Sequence, residues 1–166
     1  MITINWKDIR YDVDQQTWRL AKIRITDDEL RDDAQSDGRQ SPMDVVRRAS
    51  EEGNALLCQI LSTRISPVGW CAADDSLGEG GWSYFVNDGP YMTDERSLAI
   101  LMHRFVVAYV LYRWSILFYP DSVSLFSSEM AEAERRIKEV AYNSSAPQKK
   151  TGGCHCEGVT TITYER

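Results

Sequence analysis

A chain of 166 residues, 43% hydrophobic and 27% charged, has the length and composition of one globular domain with a real core. Its 25 Asp and Glu against 19 Lys and Arg give a formal charge of −6, which argues against a stand-alone nucleic-acid binder, because such proteins turn a basic face to phosphate. The balance still suits a protein past which DNA slides without sticking, or plain solubility.

The opening residues Met1-Ile2-Thr3-Ile4-Asn5-Trp6-Lys7-Asp8 hold no basic stretch followed by an apolar one, so no signal peptide is expected. With four cysteines and no such signal, a reduced intracellular setting is the default. A first helix is expected over residues 6 to about 22, capped by Asn5, with Trp6, Ile9, Val13 and Leu20 inward. Ile23-Arg24-Ile25 reads equally as its end or as an extended connector. A short acidic helix over 27–36 follows the capping box Thr26-Asp27-Asp28-Glu29. Ser41-Pro42-Met43-Asp44 then starts a third helix, to about residue 64, with proline at the first helical position. Val45, Val46, Ala49, Gly53, Leu56, Leu57, Ile60 and Leu61 form one apolar stripe along it. Gly53 on that stripe points to a close helix–helix approach, and Cys58 beside it to a small buried hydrophobe.

From 66 to 92 helical periodicity disappears, and Trp70, Trp82, Tyr84, Phe85 and Tyr91 appear among Gly and Pro. Trp82 to Val86 reads as a strand and Asn87-Asp88-Gly89 as a turn, giving a β-hairpin or ordered loop. An interruption of that length is expected to be functional or to contact a partner. A fourth helix opens at Thr93-Asp94-Glu95 and runs to Tyr119. Leu98, Leu101, Met102, Phe105, Tyr109, Tyr112 and Ile116 make one face, and Val106, Val110, Arg113 and Leu117 another. A helix apolar nearly all round must be enclosed by its own domain, by other subunits or by lipid. The stretch 105–119 is short for a bilayer and contains Arg113, so membrane insertion is not expected.

Tyr119-Pro120-Asp121 breaks the helix, and Asp121 or Ser122 is expected to cap a fifth. There Val123, Phe126, Met130, Ala133, Ile137 and Val140 form a seam, with Glu129, Glu132, Glu134, Arg135, Arg136, Lys138 and Glu139 on the wet side. The tail, 148–166, ends in Val159-Thr160-Thr161-Ile162-Thr163-Tyr164, a β-prone run. A terminal strand needs an edge to pair with, and addition to another subunit is the favoured reading.

Reactive chemistry is sparse. Cys154-His155-Cys156, with Cys71 as a fourth position, holds zinc-type ligands, but C-x-C spacing departs from the paired C-x₂₋₄-C of structural zinc sites, so packed or exposed thiols are the plainer reading. No cofactor is expected. His103, next to Arg104, reads as a buried, hydrogen-bonded or interface histidine, since no nucleophile motif accompanies it. Gly78-Glu79-Gly80-Gly81 lacks the lysine of a phosphate loop and reads as a flexible turn. Asp27, Asp28, Asp32 and Asp33 lack the ligand spacing of an EF-hand. Lys149-Lys150 with Arg135-Arg136 offers contacts to phosphate or an acidic neighbour, with a solvated basic face the plainer reading. No enzymatic activity is expected.

The fold class implied is mainly α: about five helices in a bundle, a mid-chain hairpin or loop insertion at about 66–92, and an extended strand-like tail. Residues 1–147 make the helical domain and 148–166 the tail. The order of helices, insertion, apolar helix, proline break and amphipathic helix resembles the head–tail connector (neck or adaptor) proteins of tailed bacteriophages. The residues that carry the likeness are Val107-Ala108-Tyr109-Val110-Leu111-Tyr112-Arg113-Trp114, Tyr119-Pro120-Asp121, the run from Met130 through Val140, and Ala146-Pro147-Gln148-Lys149-Lys150.

That resemblance implies a virion protein, made in the host cytoplasm and placed in the neck. It implies a ring homo-oligomer, a dodecamer by that pattern, between the portal protein and tail or other neck proteins. DNA would pass through without sequence-specific binding, and no membrane would be involved. Loops and C-terminal extensions clasp neighbours in that family, so Trp82, Tyr84, Phe85, Tyr91, Lys149, Lys150, Val159, Ile162 and Tyr164 are the expected contact residues. No catalytic residue belongs to the pattern. The competing class is a free-standing acidic helical adaptor or inhibitor, immunity- or antitoxin-like, that binds a basic partner.

Overall fold

The computed structural model describes residues 1–22, 42–71, 80–87 and 94–143. Among these the chain is mainly helical, with a three-stranded antiparallel sheet. In order the elements are β1 (Ile2–Asn5), α1 (Trp6–Ala21), α2 (Pro42–Ile60), β2 (Ile65–Cys71), β3 (Gly81–Val86), α3 (Glu95–Phe118) and α4 (Val123–Lys138). A 3₁₀ turn (Pro120–Ser122) separates α3 from α4, and a π turn (Glu139–Asn143) extends α4. The expected helix over 27–36, Tyr91 and the tail from 148 onward lie outside the described residues, so a five-helix count and a terminal strand are not established.

The first strand passes into α1 without a loop. Asn5 has the extended backbone of an N-cap, φ −80 and ψ 136, yet its side chain makes no cap bond. Its amide Nδ2 donates instead to Asp8 Oδ2 at 2.9 Å. The expected cap is thus replaced by a side-chain pair, which leaves the Asp8 carboxylate in the first turn, where the helix dipole favours it. At the other end Lys22 takes the left-handed conformation, φ 58, and donates its N–H to the Trp18 carbonyl at 3.1 Å. That closing turn stops α1 before Ile23.

The stripe read in the sequence is the buried side of α2, where Val45, Val46, Ala49, Gly53 and Leu57 are buried. The helix ends at Ile60 rather than near 64, because Arg64 and Ile65 both donate to the Leu61 carbonyl, at 2.7 and 3.0 Å, and turn the chain into β2. Gly53 does mark a close crossing. A Cβ there would lie 3.3 Å from Tyr109 Cδ1 and 3.6 Å from Val106 Cγ1 of α3.

Helix α3 lies at the centre, against α1, α2, α4 and β1. Asp94 caps it, accepting from the Arg96 and Ser97 amides at 3.1 and 3.3 Å. The Ser97 hydroxyl also donates to Asp94, and these bonds hold that carboxyl below its usual range. The two faces expected from the sequence are partly corrected. Ile116 and Leu117 are 46% and 57% exposed, while Ala108, Leu111 and Trp114 are buried. In a helix apolar on every side, the packing of neighbours decides which side chains are covered, and periodicity carries little information.

After the proline break α4 packs back along α3, burying Phe126, Ala133 and Ile137, with Met130 half-buried. Neither expected cap bond forms. Ser122 makes no side-chain cap and donates its hydroxyl to the Tyr119 carbonyl at 3.1 Å.

Candidate interaction surfaces

The sheet has the order β1-β3-β2. Strand β3 pairs with β1 in the register Ile2↔Tyr84, Thr3↔Ser83, Ile4↔Trp82 and Asn5↔Gly81. It pairs with β2 from Ile65↔Val86 to Cys71↔Gly81, with a register shift between Pro67 and Gly69. The insertion is therefore a hairpin, enlarged by a strand from the chain's first residues. Gly81 is required where β1 meets it, since a Cβ there would lie 2.6 Å from the Ile4 carbonyl oxygen.

Alternation along β3 sorts the expected contact residues. Tyr84 is buried, 1% exposed, and its hydroxyl donates to Asn54 Oδ1 at 2.5 Å. Asn54 in turn donates to the Ser50 carbonyl at 2.7 Å, and the Ser50 hydroxyl to the Val46 carbonyl at 2.8 Å. Tyr84 is thus a bolt between sheet and α2 rather than a surface contact, because its side of the pleat faces the helices. Burial, then the charge of nearby Cys58, pushes its phenol well above the ordinary range. Trp82 is half-buried, edge-on to Trp6 with ring centroids 6.4 Å apart. Phe85 points the other way and is 55% exposed. Of the three, Phe85 is the one free to meet a partner.

A small cleft of about 230 Å³ between α2 and the hairpin is lined by Glu51, Asn54, Cys58, Pro67, Trp82 and Tyr84, among others. Burial raises the Cys58 thiol, which stays protonated at neutral pH and bears on Tyr84 only in alkali. His103 is hydrogen-bonded, as expected, with its Nε2 2.8 Å from Asp12 Oδ2 of α1. A shallow groove of about 560 Å³ runs between α3 and α4, with Ile100, Leu101 and Val140 set among Arg104, Arg135 and Arg136.

Arg135 and Arg136 are solvated, as expected, with side chains 55% and 52% exposed, and both are paired within α4. Arg135 and Arg136 both donate to Glu132, at 2.8–2.9 and 2.6 Å, Arg135 also reaches Glu139, and Lys138 donates to Glu134 at 2.5 Å. The two guanidinium groups hold the Glu132 carboxyl down to about 2. Ile116 and Leu117 near the end of α3 and Leu125 near the start of α4 are exposed apolar residues.

Among the described residues no group of three or more His, Cys, Asp or Glu stands close enough to hold a metal. Cys71 belongs to β2, but Cys154, His155 and Cys156 lie outside the described residues, as do Lys149, Lys150, Val159, Ile162, Tyr164 and the aspartates of 27–33. By length and composition α3 is apolar enough to cross a membrane, with 44% of its most apolar window buried within the bundle. Its Arg113 is 3.5 Å from Glu52 of α2. No family model, curated protein or solved structure matches this chain.

Proposed function

We propose that this chain is a structural assembly subunit of the head–tail connector type, a virion protein that forms a ring between portal and tail of a tailed bacteriophage and surrounds the passing DNA. The observation that carries this reading is the separation of body from contact surface. A single apolar helix, α3, is enclosed by α1, α2, α4 and β1. Among the described residues, exposed apolar side chains are spread over several places: Met1 and Phe85 at the sheet, Tyr11 and Trp18 on α1, Ile100 at the arginine groove, and Ile116, Leu117 and Leu125 on α3 and α4 near the break between them. A subunit with neighbours on several sides needs several such patches, whereas a one-partner adaptor concentrates them.

The alternative, an inhibitor offering an acidic face, draws less support from α4, where Glu132, Glu134 and Glu139 already carry their own arginine and lysine partners. Paired carboxylates present little net field to a basic partner. The test is mass photometry of the chain alone and with a tailed-phage portal protein. Alone it should be monomeric or weakly associated, and with portal it should form rings. A stable dimer indifferent to portal overturns the proposal.

A further inference from the structure

The two outer edges of the sheet are not equivalent. In an antiparallel pair, residues alternate between turning both backbone groups toward the partner strand and turning both away. The Trp6 N–H donates to the Gly80 carbonyl at 2.9 Å. By the β1–β3 register Ile4 and Ile2 then face Trp82 and Tyr84 in the same sense, and Thr3 and Asn5 turn outward. On the far side Asn87 donates to the Arg64 carbonyl at 2.8 Å, so Ser66, Gly69 and Cys71 face β3. Ile65, Pro67 and Trp70 are left on the outer edge of β2.

That β2 edge is closed. The Ile65 N–H is already held by the Leu61 carbonyl at 3.0 Å. Pro67 has no N–H, and the register shift before Gly69 breaks the spacing a further strand would need. Among the described residues, strand β1 carries none of these devices. Thr3 offers its N–H and carbonyl and Asn5 its N–H in regular spacing, while the Asn5 carbonyl is committed to the first turn of α1. Both residues are exposed.

We propose that the β1 edge is a strand-acceptor site, and that its occupant is the segment Val159–Tyr164 of a second copy of this chain; the inference rests on the assembly reading above. Two features select that occupant. The first is alternation. On β1, Ile2 and Ile4 are buried while Thr3 is exposed, with its hydroxyl 3.1 Å from that of Ser83. The run Val159-Thr160-Thr161-Ile162-Thr163-Tyr164 has the same period: with Ile162 and Tyr164 toward the helices, Thr161 and Thr163 extend the hydroxyl row.

The second is where the donor leaves. Past Val140, the Tyr142 hydroxyl donates to the Ile60 carbonyl at 2.9 Å, and Arg64 lies 5.4 Å over its ring. The last described turn therefore lies beside the start of β2, across the sheet from β1. A donor on one side and an acceptor on the other is a heterologous arrangement, which passes from copy to copy and gives a ring where the rotation between copies closes.

Amide hydrogen exchange by NMR on the labelled full chain tests this over a concentration series. Protection at Thr3 and Asn5 should rise with concentration by roughly tenfold or more. It should vanish in the full chain carrying Ile162→Pro, with the exchange of β3 amides unchanged. Excess unlabelled peptide of residues 157–166 should restore it in that variant. Free exchange at every concentration overturns the proposal, and so does protection independent of concentration, which would mean the chain's own tail occupies the edge. Rings forming with portal while Thr3 and Asn5 exchange freely would sink this edge and leave the connector reading standing. Protected amides without portal-dependent rings would do the reverse.

Discussion

Replacing Tyr84 with phenylalanine separates the core role of this residue from the surface role its neighbours suggest. The hydroxyl is its only polar group, and it donates to Asn54 Oδ1, on a residue itself 3% exposed. Removing it leaves that carbonyl oxygen buried with no donor, at a cost of about 1–3 kcal/mol. For a chain of this size, a loss of about 2 kcal/mol corresponds to a fall of roughly 4–8 °C in Tm. Asn54→Leu alone should cost a similar amount, by stranding the phenol. The double variant replaces both partners with apolar groups, so it should be more stable than the sum of the single losses by about 1–3 kcal/mol. Urea unfolding followed by tryptophan fluorescence gives all three values. A Tyr84→Phe cost below about 0.5 kcal/mol with no coupling to Asn54 would refute the reasoning. Alkaline pH supplies a second check. Because the folded phenol is raised above 10.0, the unfolded chain loses that proton first. The associated stability is present below about pH 10 and declines as pH rises beyond it. Tyr84→Phe should flatten that alkaline decline.

Two glycine positions give the remaining predictions. Gly81→Ala places a Cβ against the Ile4 carbonyl and Asn5 Cα, at 2.6 and 3.1 Å, where only backbone can yield. It should cost about 2 kcal/mol or more and accelerate exchange of the β1 amides, and an unchanged urea midpoint would contradict the close approach. At Gly53, alanine gains about 1 kcal/mol of helix propensity, offset by the small shift asked of the Tyr109 ring, so its midpoint should stay near wild type. Valine there adds methyl groups between α2 and α3 and should lose about 1–3 kcal/mol; a valine variant as stable as the alanine one would show that the helices need not approach at this point.

The helices were largely legible because their signals are local. Proline at 42, Asp94 with Ser97, and the proline at 120 each mark a boundary through bonds made within a turn or two. The α2 stripe was legible because one side of that helix is polar, so its period is visible. The α3 contacts were not: with apolar residues on all sides, Ile116 and Trp114 look alike in sequence, and only the placement of α1, α2, α4 and β1 buries one and exposes the other. Tyr84 and Phe85 show the same limit at finer scale. Both are aromatic residues in one strand, and a single step of the pleat sends one into a hydrogen bond with α2 and the other to solvent.

Strand β1 was missed for a different reason, and it governs the functional reading. Its signal is four residues long, Ile2-Thr3-Ile4-Asn5, too short for alternation to stand out beside the helix that follows. What makes it a strand is non-local: the hairpin, some eighty residues away in sequence, supplies the backbone partners at Trp82 and Tyr84, and Gly81 lets the two chains come close enough to use them. A hairpin alone would offer two edges. With β1 in place, and among the described residues, the sheet has one edge closed by Pro67 and the Leu61–Ile65 bond and one left unpaired at Thr3 and Asn5. A fold that blocks one edge and leaves the other regular has a direction. Direction is the property a subunit needs to add neighbours in one sense around a ring.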